Sequence, residues 1–161
     1  MKKVRVAVLC SGGGTNLQAI LDSAAAGNIP SGEIALVVTD HASAFALERA
    51  QRAGVGTVVV DKKQYPDRSE REKRILAALE KHKIGLVVLA GFMTILSEAF
   101  TKKYDMRMIN VHPSLIPSFC GPGFYGLKVH EAALARGVKV TGATVHYVNE
   151  VCDGGPIILQ K

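Results

Sequence analysis

The chain has 161 residues, 48% of them hydrophobic and 21% charged, and 20 Lys+Arg against 14 Asp+Glu give a formal net charge of +6 at pH 7. That length supports one domain with a real core, and this much apolar content at so low a net charge excludes a disordered chain. No run of about 18 apolar residues is present to span a membrane. The opening MKKVRVAVLC mimics a signal peptide, but its apolar stretch ends at Cys10, where Ser11-Gly12-Gly13-Gly14 begins. Cys10, Cys120 and Cys152 are too few and too scattered for a disulfide framework, and no CxxC marks a zinc site. These features predict a cytoplasmic protein with free thiols. No basic run exceeds two residues, so a nucleic-acid partner is not expected. The mild positive excess suits small anionic substrates as well as an ordinary solvated surface.

In chain order, Val4–Cys10 is an apolar, β-branched run and predicts a buried strand. Leu17, Ile20, Leu21 and Ala24 recur at helical spacing over Asn16–Ala26, and Gly27 stops the helix. Ile34–Thr39 predicts a second strand, Ala44–Ala53 a helix closed by Gly54, and Thr57–Val60 a third strand. After a polar loop, Ser69–His82 predicts a charged helix with Ile75, Leu76 and Leu79 as its buried stripe. Leu86–Ala90 predicts a strand, Ser97–Lys103 a short helix and Met108–Val111 a strand. Prolines and glycines between His112 and Gly126 predict a long functional loop. Val129–Ala135 predicts a helix stopped by Gly137, Val140–Tyr147 alternates like a half-exposed strand, and Pro156–Leu159 predicts a last one. Strands alternating with helices predict an α/β fold: a doubly wound, mostly parallel sheet with helices on both faces.

Two segments carry chemistry. Ser11-Gly12-Gly13-Gly14-Thr15-Asn16 joins a strand to a helix. Glycines let backbone approach a ligand, and a helix N-terminus offers free N–H groups to a phosphate. The P-loop lysine is missing, and Leu17 stands where a dinucleotide fingerprint needs glycine. The plainer alternative is a tight turn with Thr15 or Asn16 capping the helix. Asp40 ends the second strand, where a ribose-binding acid sits in dinucleotide folds, but it reads better as a turn or capping residue. In Met108-Ile109-Asn110-Val111-His112-Pro113, Asn110 and His112 lie two apart on a strand and face the same way. They fall at a strand's carboxyl end, where open α/β sheets place their sites. Asp153, before two glycines, is a turn residue or a third member of that site. An amide, an imidazole and a carboxylate together suit acyl transfer, in which an oxyanion develops and protons move.

At these residues the chain resembles the folate-dependent glycinamide ribonucleotide transformylases (phosphoribosylglycinamide formyltransferases). The resemblance rests on SGGGTNLQAI, VVLAGFM, INVHPSLIPSF, GATVHYV and DGGPIILQ, in order, and runs from Val4 to Gln160. It implies a Rossmann-like formyltransferase fold and formyl transfer from 10-formyltetrahydrofolate to the amino group of glycinamide ribonucleotide in purine biosynthesis. It implies Asn110, His112 and Asp153 as catalytic residues and Gly14, Thr15 and Asn16 as the phosphate loop. Its folate contacts fall on Arg68, Met93, Thr94, Ile95, Leu96, Asn110, Asn149, Glu150, Val151, Cys152 and Asp153. Small-molecule substrates, no metal, no membrane, and a monomer or homodimer complete the expectation.

Composition alone makes Arg68 a solvated residue and Met93, Ile95 and Leu96 core residues. Thr94 departs from the arginine common at its place in the family. His146 reads as structural, and Cys120 and Cys152 as bystanders. Ser118–Leu127, rich in glycine, reads as a mobile lid or a rigid turn. The chain ends just after an apolar strand, whereas family members usually continue, so residues 1–161 read as a single catalytic domain with its C-terminal part missing and its activity weakened or lost. The rival readings are a formyltetrahydrofolate hydrolase and a non-catalytic nucleotide-binding module. A formyltransferase acting on initiator tRNA fits less well, since no strong basic patch is present.

Overall fold

In the computed structural model, which describes residues 3–161, the run Val4–Cys10 is strand β1, with the bounds that its flanking charges and glycines predict. The chain divides into two compact units, one running to Thr94 and one starting at Ile95.

The first unit continues with α1 (Thr15–Ala25), β2 (Gly32–Thr39), α2 (Ala46–Arg52), β3 (Gly56–Val59), α3 (Arg68–Lys81) and β4 (Leu86–Leu89). Its strands lie in the order β3-β2-β1-β4, and every pair is parallel. A helix precedes each return strand because parallel pairing needs a crossover connection. Ala7 to Cys10 and Leu36 to Val38 are at most 1% exposed. Burial on both faces is why these strands read as unbroken apolar runs rather than alternating ones. Val8, Cys10 and Val37 pack with Leu17 and Leu21 of α1 and with Ala46 and Ala50 of α2. In α3 the buried residues are Glu72, Ile75 and Leu79. Leu76, predicted for that stripe, is only half-buried. Glu72 takes the place one turn earlier, where Arg68 Nε donates to its Oε1 at 3.2 Å. Asp67, two residues before the predicted start, caps α3 by accepting from the Glu70 N–H at 2.8 Å.

The second unit holds α4 (Glu98–Lys103), β5 (Met108–His112), α5 (Leu127–Arg136), β6 (Thr144–Tyr147) and β7 (Ile157–Gln160). Here β5 pairs antiparallel with β6, and β6 antiparallel with β7. The link between Tyr147 and Ile157 is shorter than the dozen or so residues a crossover takes, so β7 turns back along β6. β6 is also shorter than the alternation over Val140–Tyr147 predicts: its ladder with β5 covers Thr144–Tyr147, and Val140 is 75% exposed. Alternation reports which side chains are apolar but not where a neighbouring strand begins. The fold class is the expected one: α/β, with mixed, mostly parallel strands flanked by helices.

Candidate functional site

The second unit brings Asn110, His112 and Asp153 together. Asn110 and His112 sit at the end of β5 with one residue between them, so they share a face. Asp153 arrives from the β6–β7 connection in a left-handed conformation, φ 55°, which aspartate tolerates better than most residues. Its position depends on Gly155: a Cβ there would collide with the Tyr147 carbonyl. Without one, the loop folds back over the end of β6, and the Tyr147 N–H donates to the Pro156 carbonyl at 2.8 Å.

Asp153 Oδ2 lies 3.5 Å from His112 Nδ1 and accepts from the Gly121 N–H at 2.9 Å. Its Oδ1 lies 3.5 Å from Asn110 Nδ2. The side chains of His112 and Asp153 are only 5% and 9% exposed. Burial pushes the Asp153 carboxyl upward, but the His146 ring, the Gly121 N–H and the His112 ring hold it below the usual carboxylate range. His112 Nε2 lies 2.8 Å from the Phe119 carbonyl. That oxygen can only accept, so Nε2 carries a hydrogen. A second proton, on Nδ1, would face the carboxylate. The ring is thus arranged to hold a proton on either nitrogen.

A fourth residue joins them. His146, read from sequence as structural, is 2% exposed and lies directly across the ladder from Asn110. Its Nδ1 is 2.8 Å from the Tyr147 carbonyl and so carries a hydrogen. Its Nε2 is 3.1 Å from Asn110 Nδ2 and 3.7 Å from Asp153 Oδ1. Bare, that nitrogen accepts from the Asn110 amide; protonated, it donates toward Asp153. The cue in the sequence was alternation: His146 is an even-numbered position between inward-facing Thr144 and a predicted strand end.

The segment after His112 is pinned at its start. Thr144 Oγ1 donates to the Ser114 carbonyl at 2.7 Å and accepts from the Ile116 N–H at 3.1 Å. Gln160 Nε2 donates to the Ile116 carbonyl at 2.9 Å. Residues Phe119, Gly121, Gly123 and Gly126 then take positive φ. Burial and the Asp153 carboxylate raise the thiols of Cys120 and Cys152, which weakens both as nucleophiles.

In the first unit, the glycine loop ends in Gly14, the N-cap of α1, at φ 69° with no side-chain cap. Thr15 and Asn16 lie inside the helix and are exposed, so the capping alternative does not hold. A Cβ on Gly14 would meet the Ala46 Cβ at 2.9 Å. Three loop carbonyls are engaged from the protein side: the Ala46 N–H donates to Gly12 at 3.2 Å, Arg49 Nε to Gly13 at 2.8 Å, and the Gln18 N–H to Gly14 at 2.9 Å. With its carbonyls tied down, the loop leads into the uncapped N-terminus of α1, the positive end of its dipole.

The positions expected to meet folate differ among themselves. Met93 and Ile95 are 48% and 58% exposed rather than core, while Leu96 is 7% exposed and core. Thr94 Oγ1 donates to Asp40 Oδ2 at 2.6 Å. Asp40, read as a turn or capping residue, is instead a buried acceptor that also pairs with Lys62 at 2.7 Å. Arg68 pairs with Glu72 and is half exposed. Asn149 Oδ1 accepts from the Val151 N–H at 3.0 Å, shaping the turn. Glu150, Val151 and Cys152 are exposed. Among the described residues no cluster of three or more His, Cys, Asp or Glu is placed to hold a metal ion. No helix among them is long and apolar enough to cross a membrane.

Comparison with known proteins gives these groups a context. The formyl transferase family profile matches residues 4–161. The chain is 41% identical over 160 residues to a phosphoribosylglycinamide formyltransferase of Haemophilus influenzae, covering 99% of this chain and 72% of that protein. It is 48% identical over 160 residues to the human trifunctional purine biosynthetic protein adenosine-3, covering 99% of this chain but spanning only 15% of the human protein's length. Among solved structures, glycinamide ribonucleotide transformylase 1 from Symbiobacterium toebii superposes with a TM-score of 0.90 at 43% identity, over 99% of this chain and 72% of that one. The corresponding protein from Geobacillus kaustophilus gives 0.90 at 40% identity, over 99% and 81%. A profile matched across nearly all its residues, and relatives this similar at nearly full coverage, place the chain in the formyl transferase family, in its phosphoribosylglycinamide formyltransferase group.

Proposed function

We propose that this chain transfers a formyl group from 10-formyltetrahydrofolate to the amino group of glycinamide ribonucleotide. The observation that carries the reading is the approach of Asn110, His112 and Asp153 within one buried cluster, although Asp153 lies some forty residues further along the chain. The folate supplies the formyl carbon and is consumed as a co-substrate. The Asn110 amide and the His112 imidazolium donate to the formyl oxygen as negative charge develops there. For that, His112 Nε2–H exchanges the Phe119 carbonyl for the substrate oxygen. Asp153 stabilises the imidazolium and orders the ring. As the new C–N bond forms, the attacking nitrogen loses a proton. As the old one breaks, the folate nitrogen gains one, with His112 or a water held by Asp153 as carrier. No covalent bond to the enzyme is required, in keeping with raised thiols at Cys120 and Cys152.

The uncapped start of α1, at Gly14, Thr15 and Asn16, takes the phosphate of the ribonucleotide in this reading. Arg68, Met93 to Leu96, Asn110 and the 149–153 turn contact the folate, with Leu96 acting through its backbone because its side chain is core. Three free cysteines suit a reducing, cytoplasmic compartment.

Formyl loss from 10-formyltetrahydrofolate is followed with and without glycinamide ribonucleotide. Loss that depends on the acceptor is expected. Equal loss without it would make the chain a hydrolase, and no loss in either case would reduce it to a binding module.

A further inference from the structure

Asp40 is a charged side chain buried to 1% exposure directly after β2. It lies at the carboxyl end of a parallel sheet, the edge at which such folds place their ligands. Its Oδ2 takes two donors: Lys62 Nζ at 2.7 Å and Thr94 Oγ1 at 2.6 Å. Its Oδ1 is buried, with His41 Nε2 3.9 Å away. Burial pushes this carboxyl upward, but Lys62, Ser11 and Thr94 hold it below the ordinary value, so it stays ionised. Replacing such a buried pair with apolar residues commonly leaves stability unchanged or improves it. Stability alone therefore does not account for a buried carboxylate here.

What the carboxylate holds is a turn. Residues 91–94 follow β4 and are fastened at three points. The Ser11 N–H donates to the Gly91 carbonyl at 3.0 Å, the Met93 N–H donates to Ser11 Oγ at 2.8 Å, and Thr94 donates to Asp40. The first two fasteners act on the backbone from the end of β1. The Asp40–Thr94 bond fixes the far end, where the chain leaves the sheet edge.

We propose that Asp40 is a positioning residue for the folate co-substrate: anchored by Lys62, it locks the 91–94 turn through the Thr94 hydroxyl so that Met93 and Thr94 meet folate pre-organised. This rests on the function proposed above. Binding to a turn already held in place avoids the ordering cost of a loose one, so the effect falls on folate affinity and leaves the acceptor's KM alone.

The test uses the full chain. Tetrahydrofolate binding is measured by calorimetry, and transfer is measured with each substrate varied in turn. Thr94→Val keeps the shape and removes the donor. It is expected to weaken tetrahydrofolate binding and raise the folate KM about tenfold, the scale of one charge-assisted hydrogen bond, with the ribonucleotide KM unchanged. Thr94→Ser restores the donor and both values. Asp40→Ala added to Thr94→Val causes no further loss, as residues acting through one bond require. If Asp40→Ala does not fold, the Val and Ser pair still decides. Unchanged tetrahydrofolate binding in Thr94→Val, or parallel rises in both KM values, overturns the positioning role. Absent transfer by the unsubstituted chain, with tetrahydrofolate still bound, counts against the proposed function, and the binding comparison decides the positioning role by itself. An unsubstituted chain that binds no tetrahydrofolate overturns both.

Discussion

His146 stands directly across the β5–β6 ladder from Asn110, with its Nε2 3.1 Å from the Asn110 amide nitrogen. The Tyr147 carbonyl fixes the hydrogen on Nδ1, which leaves Nε2 to hold the amide. His146→Ala would free Asn110 to rotate away from the developing charge. Turnover is expected to fall about 10- to 100-fold, the range for a buried polar group left unpaired, with little change in the ribonucleotide KM. Unchanged turnover would mean that Asn110 is held by other contacts.

Asp153 joins three of the cluster's contacts, to His112, to Asn110 and to the Gly121 N–H. Asp153→Asn preserves size but removes the charge that stabilises the imidazolium. Turnover is expected to drop at least about a hundredfold, within the span of lost acid–base assistance, while ribonucleotide binding changes modestly. A pre-steady-state assay separates the two. Near-normal turnover would remove the carboxylate from the mechanism.

Acid sensitivity follows from two carboxyls, Asp40 and Asp153, each held below its ordinary value. A carboxyl whose folded pKa lies below its unfolded one binds fewer protons when folded. It therefore contributes stability that is complete above the ordinary carboxylate range, about pH 4, and is lost as the pH falls through the depressed value. Urea midpoints should be flat with respect to these two groups near neutrality and fall steeply in acid. Asp153→Asn should flatten part of that fall. An acid limb identical to the unsubstituted chain's would show that the carboxyl is not paired in solution.

Gly14 combines φ 69° with a Cβ position 2.9 Å from Ala46 Cβ and 3.0 Å from its Cα. Gly14→Ala must move either the loop or the start of α2. A loss of about 1–3 kcal/mol in stability is expected, together with a raised ribonucleotide KM and an unaltered folate KM. Thermal unfolding and the two KM values check it. A folate KM that rose equally would argue against a separate anion loop.

The sheet of the first unit was legible because its central strands β1 and β2 are buried over their second halves. Val6–Cys10 is apolar throughout, and the glycines at 27 and 54 follow the helices that precede β2 and β3, as their positions imply. The second unit was harder. Val140–Tyr147 alternates well, yet only its last four residues pair with β5, and β6 and β7 run antiparallel. Periodicity in a sequence records the environment of side chains. It does not record which strand lies alongside or in which direction.

The same division applies to the cluster. Residue type and spacing alone placed Asn110 and His112 on one face at a strand end, and put the glycine loop at a helix start, because those are local properties of strands, turns and helix starts. Only the folded chain could bring Asp153 onto His112, turn His146 toward Asn110, and bury Asp40 under Thr94 and Lys62. Those contacts join residues far apart in the chain, and they exist because strand pairing and loop closure spend no local signal: they are decided by packing.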